Sequence, residues 1–179
     1  MNFFIVPVFS ALAAAALGAD PTKNDLYKAL NTEQRIWTPL RSYERSTNNE
    51  KHRCIYAKKT SLQGDNYQFD QYYKHGVEKW VTHHLYGTLI ESEKSAILTV
   101  KQSPEGHGIQ YTLRYWDQNT HCGIVTFKNT EGEDECELHL WEDDLMRSPS
   151  QYACEWKYDE ICPKAEKYMT YTQECLTSA

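Results

Sequence analysis

The residues best suited to chemistry lie in segment 136–141, where charged and aromatic side chains alternate with apolar ones. A period of two is typical of a β-strand. The two faces of this strand consist of Glu137, His139 and Trp141, and of Cys136, Leu138 and Leu140. Buried charges are costly unless they are paired or solvated. We therefore expect the face with Glu137 to line a wet or ligand-filled cavity.

A helical segment is expected next. Ser148, Pro149 and Gln151 have the form of a capping box with proline at the first helical position, and Pro163 ends the helix. One face of this helix holds Cys154, Tyr158, Ile161 and Cys162. A helix with two cysteines on its buried face can be linked flat onto a sheet whose apolar face carries Cys136.

No pattern in the sequence favours catalysis. A nucleophile elbow, an H-E-x-x-H motif and a plausible free catalytic thiol are all absent. His83 and His84 are adjacent, so on a strand they face opposite sides and cannot share a metal ion. A zinc site is the rival role for the cysteines, but no C-x-x-C pair exists. We expect a protein that is not an enzyme and needs no metal or cofactor.

The N-terminal residues predict secretion. Segment 3–17 is apolar and uncharged, and Ala16 and Gly18 are the small residues typical of a cleavage site. We therefore expect a signal peptide over residues 1–18 and one extracellular domain over residues 19–179. The six cysteines all follow the predicted signal, so three disulfides are expected, with the pairing left open.

The charge of the chain limits its partners. A formal net charge of −6 and a pI near 5.6 disfavour nucleic acids and anionic membranes, both of which attract basic proteins. We expect the protein to be a monomer.

Alternating segments predict an all-β domain. Eight strands are expected over residues 35–45, 53–59, 66–75, 78–90, 95–102, 109–116, 122–128 and 136–141, with a short helix at 25–30 and a last short strand at 167–172. Pro39 indicates an edge or a bend in the first strand. Hairpin spacing favours an antiparallel up-and-down barrel, because closure removes the sheet edges. The helix that ends at Pro163 is expected outside the barrel.

Two faces carry polar groups where an ordinary core would be apolar. In the fourth strand, one face has Glu78, Trp80, Thr82, His84 and Tyr86, and the other has Val81, His83 and Leu85. We expect the first of these to face inward, as for Glu137 and His139. The alternative is that the faces are reversed and the polar groups lie in solvent. Trp37, Trp80, Tyr111 and Trp141 would form an aromatic wall, or else plain core.

An ordered set of motifs gives the chain a resemblance to a known family. The set comprises Trp37-x-x-x-Arg-Ser-Tyr43, Cys54, Glu78-Lys, Cys122, the 136–141 block, Cys154 and Cys175. It resembles the histamine-binding protein family of tick salivary lipocalins. The resemblance implies an eight-stranded barrel with an external helix and the bridges Cys54–Cys175 and Cys122–Cys154. Some relatives have a third bridge, here Cys136–Cys162, which agrees with the shared faces described above.

The same resemblance implies that the barrel captures host inflammatory mediators, such as histamine, serotonin, leukotrienes or other lipids. Tyr43, Glu78 and Glu137 match a tyrosine and two carboxylates of the amine-binding members. Other acids of that pocket are replaced by Leu113, Gly123 and Ser46.

Arg41 and Arg114 are available to pair with a ligand carboxylate, or else they lie on an exposed face. We therefore expect a small hydrophobic, anionic ligand such as a leukotriene. A biogenic amine and a protein partner that uses the barrel as a scaffold are the alternatives. The candidate ligand-binding residues are Trp37, Arg41, Tyr43, Glu78, Trp80, Tyr111, Arg114, Glu137, His139 and Trp141.

Overall fold

The computed structural model describes residues 20–76, 79–93, 95–163 and 165–177, so the predicted signal peptide at residues 1–18 lies outside it. The helices are α1 (Lys23–Leu30), α2 (Glu142–Arg147), α3 (Glu155–Ile161) and α4 (Glu174–Thr177). The strands are β1 (Ile36–Arg41), β2 (Ser46–Thr47), β3 (Glu50–Lys51), β4 (Arg53–Gln63), β5 (Asn66–His75), β6 (Lys79–Ser92), β7 (Ser95–Lys101), β8 (Ile109–Asp117), β9 (Cys122–Lys128), β10 (Asp134–Trp141) and β11 (Tyr168–Met169). Within the described ranges, every helix is too short or too polar to cross a membrane.

Eight antiparallel strands close into a barrel. Strands β4 to β10 pair in chain order, and β1 completes the circle by pairing with both β4 and β10. Trp37 lies opposite Tyr56 of β4 and Leu140 of β10. The predicted eight-stranded barrel is confirmed, with β11 as an additional strand beside β1.

Pro39 marks a change of partner within β1. The register with β10 shifts between Trp37 and Leu40, and beyond this point β1 pairs with β11 instead of β4. Proline has no N–H to donate, so it is tolerated where the ladder is interrupted. Its carbonyl still accepts a 3.0 Å hydrogen bond from Thr170 N. The expected irregularity in this strand is therefore present.

The three disulfides attach the C-terminal segment to the barrel. Cys54–Cys175 joins β4 to α4. Cys122–Cys154 and Cys136–Cys162 join β9 and β10 to the residues just before and just after α3. All three expected pairings are confirmed. Because two bridges flank α3, the helix is held flat on the outer face of the barrel.

The contact between β10 and α3 forms the larger core cluster. Leu138 and Leu140 are completely buried there against Tyr158. Their neighbours Glu137 and His139 face the barrel interior. The predicted orientation of this strand is confirmed, and the second cluster fills part of the interior beneath α1.

The predicted start of the external helix at Ser148 is wrong. Ser148 instead ends α2, and α3 begins only at Glu155. Between them, Tyr152 is buried and Cys154 is bonded to Cys122 of β9. The chain must turn here to bring both residues against the barrel, and these tertiary contacts override the local capping signal.

The inward face predicted for β6 is also wrong. His83 and Leu85 line the cavity, whereas His84 lies on the other face, with its Nδ1 2.7 Å from Asp70 Oδ1. Successive residues on a strand face opposite sides, so an assignment that is wrong by one position exchanges the inner and outer faces of the whole strand. The alternative assignment, with the polar face outside, holds for the described part of β6, where Trp80 and His84 lie on the outer face.

Helix α1 closes one end of the barrel. Thr22 and Asp25 form a capping box at its start, and Leu26 and Leu30 are buried against the interior cluster. Trp141 Nε1 donates a 3.0 Å hydrogen bond to Ala29 O. The helix is thus anchored to the end of β10.

Leu140→Ala should destabilise the fold by roughly 2–5 kcal/mol, because it opens a void between β10 and α3. Leu140 is only 1 % exposed. Urea unfolding with the disulfides intact measures the change. The control is Ile90→Ala on β6, where the side chain is 39 % exposed. Equal losses for the two variants would contradict the placement of Leu140 in the core.

Candidate functional site

The barrel encloses a cavity of about 420 Å³ that is closed at one end by α1. This volume lies within the range of small-molecule sites. Most of the wall is apolar or aromatic, and includes Leu26, Leu30, Ile36, Ile55, Tyr67, Phe69, Leu85, Leu98, Val100, Leu113, Trp116, Val125 and Trp141. Such a wall suits a hydrophobic molecule.

Glu137 is a buried carboxylate in this wall, 9 % exposed. It accepts hydrogen bonds from the Tyr43 hydroxyl and, over 2.8 Å, from His139 Nε2. Burial alone would raise the pKa of Glu137, but His139, Tyr43 and Arg41 together lower it below its usual range. The carboxylate is therefore ionised and already satisfied by protein donors.

Aromatic rings surround this carboxylate. Burial and the charge of Glu137 raise the pKa of Tyr43 and of Tyr111, so both hydroxyls stay protonated at physiological pH. The Phe127 ring packs against both tyrosines, with centroids 5.4 Å from Tyr43 and 4.8 Å from Tyr111. The result is a partly polar aromatic corner in an otherwise apolar cavity.

Arg41 is a buried cation in the same cavity, 3 % exposed. Its guanidinium lies 4.7 Å from the centre of the Tyr43 ring. One nitrogen donates a long, 3.5 Å bond to His52 O, and Nε has no hydrogen-bond partner. Among the described residues, no carboxylate oxygen lies within ion-pair distance of Arg41. A buried guanidinium without an ion pair is costly, so an anionic ligand group would be stabilised here.

The mouth of the cavity lies opposite α1, and a small hairpin covers part of it. The turn between β2 and β3 has Asn48 and Asn49 at φ of 53° and 64°, as a tight primed turn requires. The hairpin is closed by a 2.8 Å bond from His52 N to Arg45 O, and both of these residues line the cavity. This hairpin therefore positions two basic side chains at the mouth.

His52 also belongs to an aromatic stack at the mouth. Its ring lies 4.2 Å from that of Tyr73, and Tyr73 stacks in turn on His83 at 5.8 Å. Burial and then the charges of Arg41, His75, Arg45 and His83 lower the pKa of His52. Burial, helped by these cationic surroundings, therefore favours the neutral imidazole at physiological pH.

The structure brings six of the ten predicted site residues to the cavity, namely Arg41, Tyr43, Tyr111, Glu137, His139 and Trp141. Glu78 lies outside the described residues. The other three are placed on the outside of the barrel wall.

Each of these three has an identifiable reason for its position. Trp37 lies opposite Leu140, so it shares the outer face and donates from Nε1 to Glu142 over 3.0 Å. Trp80 lies on the outer face of β6 with Lys74 over its ring. Arg114 is exposed beside an outer groove. The expectation that these residues line the cavity is wrong.

Several residues of the wall do not follow from the alternation of the sequence. In β8, the register shifts between Leu113 and Tyr115, so Trp116 rather than Tyr115 continues the inner face. A bulge of this kind leaves no clear local signal. The inward position of His83 could have been predicted, because the apolar residues Val81 and Leu85 lie on the same face of the strand.

The cavity also contains four imidazoles and one carboxylate, which are groups able to bind a metal. Over the part of the chain that the structure describes, no group of three or more His, Cys, Asp or Glu side chains is arranged to hold one. The arrangement can bind a small molecule by apolar contact and charge.

Comparison with known proteins adds to this geometry. The family model described as tick histamine binding protein matches residues 17–177. No curated protein matches the sequence.

Two solved structures share the fold. Japanin from Rhipicephalus appendiculatus bound to cholesterol is 18 % identical, with a TM-score of 0.53, over 82 % of this chain and 97 % of that one. The AM182 serotonin complex is 13 % identical, with a TM-score of 0.58, over 88 % and 94 % respectively. At these identities the likeness extends to the fold alone.

Glu137→Gln should flatten the acid dependence of stability. Because the pKa of Glu137 is lowered in the folded state, its contribution is present at neutral pH and is lost as the pH falls below about 4. Wild type should therefore lose about 1–3 kcal/mol more than the variant between neutral pH and pH 3. Urea unfolding at several pH values measures this, with exposed Glu91→Gln as the control. Parallel curves for wild type and Glu137→Gln would refute the interaction.

Proposed function

Because the chain belongs to the tick histamine-binding protein family, we propose that it is a secreted salivary lipocalin that sequesters a small host mediator. Binding in the barrel, without catalysis, would lower the free concentration of that mediator and suppress host defence. The closed-ended cavity with its apolar wall supports this proposal. The three disulfides fit an oxidising, extracellular environment.

The proposed ligand is a hydrophobic molecule with a negative charge, such as a leukotriene. The observation that carries this proposal is Arg41, a buried guanidinium that faces the cavity without an ion pair among the described residues. A ligand carboxylate would supply the ion pair that Arg41 lacks and could accept two parallel N–H hydrogen bonds from the guanidinium. Arg114 was expected to pair with the ligand but lies on the outer face of the barrel. Arg45 and Lys101 lie at the mouth and can supply positive charge to the ligand instead.

Glu137 does not oppose such a ligand as strongly as its charge suggests. Its two oxygens already accept hydrogen bonds from Tyr43 and His139. These donors offset the negative charge within the protein. The apolar part of the ligand would extend away from this corner toward Leu26 and Leu30 of α1.

A biogenic amine is the second candidate. Glu137 is a buried, ionised carboxylate with the rings of Tyr43 and Tyr111 nearby, and such a site attracts an ammonium group. The structural relative solved with serotonin has the same fold. An amine would have to share Glu137 with His139 and would lie close to the positive charge of Arg41. This competition makes the anionic ligand the better supported proposal.

Binding of leukotriene B4 and of histamine to two variants separates the candidates. For the leukotriene, Arg41→Gln should weaken binding by roughly 2–5 kcal/mol, whereas Glu137→Gln should be neutral or mildly favourable. For histamine the pattern should be reversed, because the ammonium group loses its counter-charge in Glu137→Gln. Isothermal titration calorimetry measures both ligands.

The control is Arg114→Gln, which removes an arginine from the outer face of the barrel. It should leave the affinity for both ligands unchanged. Thermal unfolding of each variant verifies that the fold is intact. Sub-micromolar binding of histamine that is abolished in Glu137→Gln would favour the amine and overturn the proposal of an anionic lipid.

A further inference from the structure

We propose that the mouth of the cavity is a subsite for a doubly charged anion, and that the ligand is a lipid with a terminal phosphate monoester. This inference rests on the proposed function, because it assumes that the cavity binds the apolar chain of a ligand. It goes further by assigning the chemical class of the head group and the residues that select it.

The formal charge of the lining carries the argument. Among the described residues that line the cavity, three are permanently positive, Arg41, Arg45 and Lys101, and one is negative, Glu137. The lining therefore has a net charge of +2 when its histidines are neutral, although the whole chain has a net charge of −6. A positive cavity in an acidic protein is a local feature that a dianion would complement.

The three cations lie at the same end of the barrel. Arg41 ends β1, Arg45 follows it in the segment before β2, and Lys101 ends β7. At the opposite end, Ile36 starts β1 opposite Trp141, which is hydrogen-bonded to α1. Charge and apolar wall are thus separated along the barrel axis. A bound lipid would place its chain toward α1 and its head group at the mouth.

These cations have few partners within the protein. Arg41 and Arg45 form no ion pair among the described residues; Arg45 is exposed, with its guanidinium 5.1 Å from the centre of the Tyr43 ring. Lys101 Nζ donates a 3.4 Å hydrogen bond to Pro104 O, and no other hydrogen bond from it is found among the described residues. Glu137, which lies opposite Arg41 in the ladder, offsets part of the charge of Arg41. The charges of Arg45 and Lys101 remain available to a ligand.

The number of available donors distinguishes a phosphate from a carboxylate. A carboxylate has one charge and two oxygens, which Arg41 alone could satisfy. A phosphate monoester has a charge of about −1.5 to −2 and three acceptor oxygens. It could contact Arg41 and still use Arg45 and Lys101 at the rim. Three imidazoles at the same mouth, His52, His83 and His107, add further donors.

The test compares three amphiphiles with the same dodecyl chain. Dodecyl phosphate supplies the dianion, dodecanoate supplies a single charge, and dodecylphosphocholine supplies a phosphate whose charge is balanced. Each is titrated calorimetrically into the disulfide-bonded protein near pH 7.5, where the phosphate is mostly a dianion, and below its micelle concentration. Dodecyl phosphate should bind at least roughly tenfold more tightly than either of the others.

Two variants at the exposed rim identify the selecting residues. Arg45→Gln and Lys101→Gln should each weaken dodecyl phosphate by roughly tenfold and dodecanoate by less than about threefold. Arg114→Gln on the outer face and Lys128→Gln on β9 are the matched controls. Both control variants should leave all affinities unchanged. Thermal unfolding should show that the two rim variants and the two controls are all folded.

The outcomes separate this inference from the proposed function. If dodecanoate binds as tightly as dodecyl phosphate, or if the rim variants affect both equally, the dianion subsite is refuted and the binding of a hydrophobic anion stands. If neither anion binds while histamine does, the subsite and the anionic ligand are both refuted, and the amine is the ligand that the barrel sequesters. A preference for dodecyl phosphate that disappears in Arg45→Gln and Lys101→Gln supports the subsite.

Discussion

The antiparallel pairing of β1 with β10 is the interaction on which the rest of the structure depends. It closes the sheet and so removes two exposed edges that would otherwise be open to aggregation. It also sets the composition of both sides of the wall. Arg41 lies opposite Glu137 on the inside, and Trp37 lies opposite Leu140 on the outside. One ladder thus creates the charged part of the cavity and the centre of the outer core.

Stability and binding are separated by the barrel wall. The outer cluster holds Leu138, Leu140 and Tyr158 and is flanked by two of the disulfides. Because this cluster and its covalent links hold the barrel from outside, the interior does not have to be completely filled. The cavity of about 420 Å³ is compatible with a stable fold for this reason. Helix α1 then limits the cavity to one open end.

The partners of each charged side chain in the cavity determine how much of its charge is available to a ligand. Glu137 has two protein donors, so its negative charge is offset locally. Arg41 is also buried; it lowers the pKa of Glu137 across the ladder but forms no ion pair among the described residues. The aromatic rings of Tyr43 and Tyr111 fill the space between polar and apolar regions. A ligand therefore meets an excess of positive potential at the mouth and an apolar surface beyond it.

Much of the architecture was accessible from local pattern. The bounds of β5 and β9 agree with the predicted strands at 66–75 and 122–128, and the inner face of β10 was assigned correctly from its alternation. The ordered motifs led to the family resemblance and thereby to the disulfide pairing. These features depend on residues close together in sequence, or on a pattern that the family shares.

The remaining features were decided only by tertiary structure. A capping signal at Ser148 was overridden because Tyr152 and Cys154 must reach the barrel, and a bulge in β8 exchanged Tyr115 for Trp116 on the inner face. The mouth is the clearest case, since Arg45 and Lys101 are far apart in sequence and line the same cavity only when the barrel closes. The sequence by itself determined which segments are strands and which face of β10 is polar. The register between strands determined which charges share the cavity, because no local pattern encodes a contact between distant segments.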